Sequence, residues 1–115
     1  MRLLVCGGRD YTDRTATFRA LDNLLALGPI ELIFHGAARG ADTLAGDWAA
    51  ARGIPCTSFP ADWKQFKRAA GGIRNQQMLT EGKPDGVLAL PGGSGTADMC
   101  RRATKAGLEV WRPYD

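Results

Sequence analysis

Glycine-rich segments with neighbouring hydroxyl or arginine side chains are the parts of this sequence best suited to chemistry. The segment LPGGSGTADM at residues 90–99 contains Gly92, Gly93, Ser94, Gly95 and Thr96. Glycine lets backbone N–H groups approach an anion closely, and hydroxyl side chains can donate to phosphate or cap a helix. No lysine follows the last glycine and the spacing lacks a third fingerprint glycine, so neither a Walker loop nor a dinucleotide fingerprint is present. The segment predicts a phosphate-binding loop that opens a helix.

A second glycine pair lies near the N-terminus in GGRD, residues 7–10. Gly7 and Gly8 follow a short apolar segment, at the usual nucleotide-binding position of an α/β protein. Arg9 and Asp10 are candidates to meet a phosphate and a sugar. The alternative is that these two side chains belong to a salt-bridged turn.

The segment HGAARGAD, residues 35–42, combines glycine, arginine and aspartate in the same way. Gly36, Arg39 and Gly40 are candidate ligand-binding residues. Asp42 is expected in the first turn of a helix, where it either complements the helix dipole or hydrogen-bonds a ribose hydroxyl. His35 is the only histidine, and we expect a structural role for it.

The segment GGIRNQQM, residues 71–78, supplies a third arginine close to glycine. Arg74 and Asn75 are predicted to begin a helix and to contact the ligand, since guanidinium forks match phosphate oxygens. Met78 is expected in the core. Trp63 is a candidate to cover a bound base.

Five short apolar segments predict the strands that position these loops, at residues 2–6, 30–35, 54–59, 85–90 and 108–111. Stretches with helical spacing separate them. This alternation predicts an α/β protein, a Rossmann-like three-layer sandwich with a mostly parallel sheet of about five strands. Because all strand-to-helix loops of a parallel sheet emerge at its carboxyl edge, the glycine segments should converge there.

Four further glycines follow predicted helices rather than strands: Gly28, Gly53, Gly82 and Gly107. Proline follows three of them directly or after one residue, as is typical where a helix ends in a left-handed cap. We expect these glycines to be structural.

Composition limits the classes of protein to which the chain can belong. Its 115 residues suit one domain, its net charge is +3, and 11 of its 15 cations are arginine. Apolar runs are too short to cross a bilayer and no secretion signal is recognisable, so we expect a cytoplasmic protein without a membrane span. Cys6, Cys56 and Cys100 are expected to be free and mostly buried, and no spacing typical of a metal site occurs.

Five segments of the chain carry a resemblance to a known family: VCGGRDYTD, HGAARGADTLAGDWA, FPADW, GGIRNQQML and LPGGSGTADM. Together they resemble the YspA-related (cpYpsA-like) family of the SLOG superfamily. The likeness covers essentially the whole chain. It implies a Rossmann-like fold and a nucleotide or nucleotide-derived ligand. The superfamily also contains DNA-processing proteins and the Lonely Guy phosphoribohydrolases.

Comparison with the phosphoribohydrolases bears on catalysis. The chain is similar to them in the PGG-x-GT pattern of residues 91–96, and in Arg74 and Met78. Their catalytic glutamate stands three residues after the threonine, where this chain has Met99. A neighbouring helix position points about 100° away, so Asp98 cannot simply take the place of that glutamate. The carboxylates that remain as catalytic candidates are Asp10, Asp42 and Asp98.

These observations favour a binding or sensing module for a nucleotide-like phosphate ligand, with no cofactor or metal required. The alternative is a hydrolase that cleaves an N-glycosidic bond of a nucleotide. Single-stranded nucleic-acid binding ranks lower because the charge excess is small and no stacking platform is evident from the sequence. A homodimer is expected by analogy with the superfamily.

Overall fold

Five parallel strands form the sheet of the computed structural model, which describes residues 1–114. The strands are β1 (Arg2–Cys6), β2 (Leu32–His35), β3 (Cys56–Ser58), β4 (Gly86–Ala89) and β5 (Glu109–Trp111). Their order is β3-β2-β1-β4-β5, and every neighbouring pair is parallel. The α/β class and the parallel sheet are confirmed, and the architecture is compatible with a Rossmann-like three-layer sandwich. All strands but β1 are shorter than predicted.

Five helices and one 3₁₀ turn connect the strands. The helices are α1 (Arg14–Leu27), α2 (Ala41–Arg52), α3 (Trp63–Phe66), α4 (Ala70–Gly82) and α5 (Ser94–Lys105), and the 3₁₀ turn (Lys67–Ala69) joins α3 to α4. The prediction that Arg74 and Asn75 begin a helix is wrong by one turn. Helix α4 starts at Ala70 because the 3₁₀ turn runs directly into it, with the N–H of Ala70 donating to the carbonyl of Lys67.

Two of the four predicted left-handed glycine caps are confirmed. Gly53 has φ +66° and Gly107 has φ +82°. Gly28 is extended instead, with φ 174°. Helix α4 continues through Gly82, so Lys83 takes the left-handed conformation in its place, at φ +50°.

The core has one layer on each face of the sheet. Side chains of α1 and α2, among them Leu21 and the fully buried Trp48, pack on one face. Side chains of α4 and α5, among them Met78 and Met99, pack on the other. Cys6 and Cys100 are buried in this second layer, whereas Cys56 on edge strand β3 is exposed. Within residues 1–114, no helix has both the length and the apolar character that crossing a membrane requires.

Replacement of Gly7 tests how closely the elements meet at the end of β1. A Cβ at Gly7 would lie 2.5 Å from the Cβ of Ala41 and 2.9 Å from that of Leu90. Since both neighbours are fixed to the backbone, Gly7→Ala should lower the free energy of unfolding by about 1–3 kcal/mol. Gly28→Ala is the control, because a Cβ there meets nothing within 4 Å. Urea denaturation measures the free energy of unfolding of both variants. Equal values for Gly7→Ala and Gly28→Ala would contradict the close packing.

Candidate functional site

A cleft of about 1140 Å³ lies where the loops after β1, β2 and β4 meet the first turns of α4 and α5. Most of the predicted ligand-binding residues line it: Gly7, Gly8, Arg9, Asp10, Gly36, Asp42, Arg74, Asn75, Gly92, Gly93, Ser94, Gly95 and Thr96. Asp98, a candidate catalytic residue, also lines it, whereas Arg39 and Gly40 are not among the lining residues. The expected convergence of the glycine loops is therefore present in the structure.

Backbone hydrogen bonds join the β1 loop to its neighbours. The N–H of Gly8 donates to the carbonyl of Pro91 at 2.9 Å, and the N–H of Ala41 donates to the carbonyl of Gly8 at 3.1 Å. A Cβ at Gly92 would lie 2.6 Å from the nitrogen of Gly8 and would also overlap Thr96. Glycine at position 92 is thus required for the close approach of the β1 and β4 loops.

Helix α5 opens toward the cleft without a side-chain cap. It begins at Ser94 directly after Gly93, and neither the hydroxyl of Ser94 nor that of Thr96 caps it. The first N–H groups of a helix have no partner inside the helix and carry partial positive charge. A Cβ at Gly93 or Gly95 would meet nothing within 4 Å, so the space beside this turn is open. The first turn of α5 can therefore receive an anion.

The guanidinium of Arg74 lies across the end of β2. It donates to the carbonyl of Gly36 and, at 3.1 Å, to the side-chain oxygen of Asn75. Burial and the nearby Arg9 lower the pKa of Arg74, and Asp42 opposes them. A guanidinium keeps its charge in any case. No carboxylate of residues 1–114 lies within ion-pair distance of Arg74, so this half-buried cation faces the cleft with only the longer-range attraction of Asp42.

Asn75 joins α4 to the start of α5 rather than projecting freely into the cleft. Its side-chain amide donates to the carbonyl of Gly95 at 3.2 Å and to Asp98 at 3.0 Å. The residue is only 5% exposed. These bonds fix the first turn of α5 relative to Arg74.

Asp98 is held by cations on its own helix. Arg102 donates to it at 2.8 Å and Arg101 at 3.4 Å. Burial raises the pKa of Asp98, but the hydrogen bonds from Asn75 and Arg102 outweigh burial and hold it below its usual value. Next to it, Met99 is fully buried in the core, so no carboxylate occupies the position of the phosphoribohydrolase glutamate.

Asp42 closes the β2 loop. Its buried carboxylate accepts hydrogen bonds from the N–H groups of Gly36 and Ala38, both at 3.1 Å. Burial raises the pKa of Asp42, and the two N–H donors together with His35 and Arg74 offset part of this effect. The carboxylate thus has a structural role in the loop while it also lines the cleft.

The salt-bridged turn considered for Arg9 and Asp10 is present only in part, because Asp10 forms an ion pair whereas Arg9 forms none within residues 1–114. Asp10 pairs with Arg39 at 2.9 Å, and both side chains are exposed. Arg39 also donates to the carbonyl of Arg9, and Gly40, at φ +77°, precedes α2. An exposed pair of this kind contributes about 0–1 kcal/mol to stability. The pair connects the β1 and β2 loops at the rim of the site.

Several side chains that line the cleft were not among the residues predicted to contact a ligand. Arg68 lies in the 3₁₀ turn, Ile73 in α4 and Arg102 in α5. Trp63, which was a candidate, also lines the cleft, and the guanidinium of Arg9 lies 5.1 Å from its ring centroid. Arg68 and Arg102 are not directly beside a glycine in the sequence, so no motif marks them as ligand contacts. Among residues 1–114, no group of three or more His, Cys, Asp and Glu is placed to hold a metal ion.

Two comparisons with known proteins found similar sequences. The model of the YspA, cpYpsA-related SLOG family matches residues 1–66, which include the β1 and β2 loops. The chain is also similar to the gene 61 protein of Mycobacterium phage D29, at 39% identity over 117 residues, covering 95% of this chain and 93% of the phage protein.

His35 stands beside the site rather than in it. Its Nδ1 accepts a hydrogen bond from the N–H of Ala37 at 3.0 Å, which requires an unprotonated Nδ1. Burial lowers the pKa of His35, Asp42 raises it and Arg74 lowers it, with a net lowering. Between the usual histidine pKa and this lower value, the unfolded chain binds more protons than the folded protein. The free energy of unfolding therefore falls as the pH falls through that window.

Replacement of His35 by asparagine tests this linkage, because an asparagine oxygen can take the place of Nδ1 and does not titrate. We expect wild type to lose stability relative to His35→Asn below about pH 6.5, with a slope of at most about 1.4 kcal/mol per pH unit. Because His35 lowers the pKa of Asp42, whose titration acts with the opposite sign at lower pH, the two curves are compared just below the usual histidine pKa. Denaturant titrations at a series of pH values give the two curves, and parallel curves would contradict the assignment.

Proposed function

Since the chain belongs to the YspA, cpYpsA-related SLOG family, we propose that its cleft binds a nucleotide or nucleotide-derived ligand through the phosphate, as a binding or sensing module. The observation that carries the proposal is the uncapped first turn of α5 beside Arg74. Backbone donors and an arginine without a carboxylate partner together suit a phosphate group.

Side-chain charge, more than the helix dipole, provides the binding free energy in this proposal. A helix terminus contributes about 0.3–1 kcal/mol when exposed, whereas a hydrogen bond to a charged group contributes about 1.5–3 kcal/mol. Arg9 and Arg68 line the same cleft and, like Arg74, have no ion-pair partner among residues 1–114. The phosphate is assigned to Arg74 and the loop of residues 92–96, with the sugar beside residues 7–10.

Binding is favoured over bond cleavage because hydrogen bonds hold the two carboxylates inside the cleft, Asp42 and Asp98, and because Asp10 is exposed at its rim. Asp10 pairs with Arg39, and Asp98 accepts from Asn75 and Arg102. Stabilising the cationic sugar of N-glycoside cleavage needs a carboxylate that can turn toward the substrate.

A second candidate function, nucleotide hydrolysis, has one observation in its favour. Asp42 lines the cleft with a raised pKa, and perturbed carboxyl groups are candidates for acid–base chemistry. Its two backbone donors give Asp42 a structural role, so we rank hydrolysis second.

Replacement of Arg74 by glutamine tests the phosphate assignment. Loss of the charged contact should weaken AMP binding by roughly 10- to 150-fold, from about 1.5–3 kcal/mol for a hydrogen bond between charged partners. Arg19→Gln removes the same charge from the exposed surface of α1 and should leave the affinity unchanged. Isothermal titration gives the affinities, and thermal unfolding confirms that both variants fold. Equal AMP affinity in Arg74→Gln and wild type would refute the assignment.

Free-base release separates the two candidate functions. We expect the four common ribonucleoside monophosphates to remain intact after long incubation with the protein, as followed by mass spectrometry. Release of base that stops in Asp42→Asn would instead support the hydrolase.

A further inference from the structure

Trp63 is the one large aromatic side chain that both lines the cleft and is strongly exposed among residues 1–114. Of its surface, 47% is accessible, whereas Trp48 is fully buried. Burial of an aromatic side chain is strongly favourable, so a tryptophan left open in a cleft marks a surface on which a flat apolar group can be buried.

The indole is held in place from several sides. Trp63 is the first residue of α3, and the carboxylate of Asp62 caps this helix by accepting the N–H of Gln65 at 3.0 Å. The guanidinium of Arg9 lies 5.1 Å from the ring centroid. Gly71 lies beside the ring edge, where even an added Cβ would be only 3.4 Å from the indole. A ring supported in this way loses little conformational entropy when a ligand stacks on it.

Trp63 and the anion site lie beside different positions along α4 and line the same cleft. The indole lies beside Gly71 at the start of α4, whereas Asn75, one helical turn along α4, holds the start of α5. Four residues of helix span about 6 Å along the axis. A cleft of about 1140 Å³ is also far larger than a phosphate or a pentose phosphate requires.

We propose that the indole of Trp63 is the stacking surface for the base of the bound ligand, so that the protein distinguishes nucleotides from sugar phosphates. This inference rests on the proposed function, because it assumes that the phosphate binds at Arg74 and α5. Ile73, which is 42% exposed and also lines the cleft, extends the apolar wall beside the indole. Stacking on an aromatic side chain tolerates any base, so the discrimination is between the presence and absence of a base rather than among bases.

The experiment compares AMP with ribose 5-phosphate, which has the phosphate and sugar but no base. Wild type should bind AMP more tightly than ribose 5-phosphate. Trp63→Leu should weaken AMP binding by about 5- to 150-fold and leave ribose 5-phosphate binding unchanged. Trp63→Phe should keep part of the preference for AMP. Because Trp63 is exposed, both variants should unfold at temperatures close to that of wild type.

Phe66→Leu is the matched control. Phe66 is an exposed aromatic residue of the same short helix, 38% accessible, and it is not among the lining residues of the cleft. Its replacement should change neither affinity. A loss of affinity equal to that of Trp63→Leu would assign the effect to the packing of α3 and would overturn the proposal.

The outcomes distinguish this inference from the proposed function. If both ligands bind and Arg74→Gln weakens both, but Trp63→Leu changes neither or both equally, the base does not stack on Trp63 and only this inference fails. If neither ligand binds at millimolar concentration, the proposed function fails and this inference fails with it. If Trp63→Leu alters the sedimentation of the protein instead of its AMP affinity, the indole belongs to a contact between copies of the chain.

Discussion

The approach of the β1 loop to the β4 loop determines the shape of the candidate site. Strands β1 and β4 are neighbours at the centre of the sheet, and the hydrogen bond from Gly8 to Pro91 continues their pairing beyond the last strand residues. This contact requires backbones to pass at distances that no Cβ at Gly7 or Gly92 would allow. Because the loops meet in this way, the backbone itself forms the floor of the cleft. Side chains then form its walls: Arg74 and Asn75 from α4 on one side, and Asp42 from α2 on the other.

Charge in the cleft is distributed so that the carboxylates have local partners and several cations do not. Asp98 is bound by Arg102 and Asn75, while Asp42 accepts two backbone N–H groups. Arg74, in contrast, donates only to neutral oxygens in the described residues. A half-buried cation of this kind is stabilised by an incoming anion. The helix start at Ser94 contributes further donors in the same region. This balance of charges is the basis on which a phosphate-binding role is proposed in preference to one that needs a free carboxylate.

The sequence was sufficient to predict the alternation of strands and helices and the convergence of the glycine loops, because a parallel sheet brings all of its strand-to-helix loops to one edge. It was not sufficient to predict which arginines line the cleft. Arg39 stands between two glycines yet turns outward to Asp10, whereas Arg68 lies in a segment without a recognisable motif and lines the cleft. Whether an arginine lines the cleft depends on the direction of its side chain and on the path of the α3–α4 connection. The spacing of residues in the sequence predicts neither. The early start of α4 has the same origin, since it depends on the 3₁₀ turn that precedes it.

Lys67 holds a strained backbone conformation directly after α3, the short helix that begins at Trp63. This lysine has φ +53° and ψ −127° at the junction of α3 with the 3₁₀ turn, a backbone conformation that is essentially restricted to glycine. Holding another residue there costs on the order of 1–3 kcal/mol, which the surrounding packing must offset. The connection from α3 to the 3₁₀ turn is therefore maintained against the backbone preference of Lys67. The strain lies in the α3–α4 connection and outside the sheet, so the chain accepts an unfavourable backbone conformation at the border of the cleft rather than in its core.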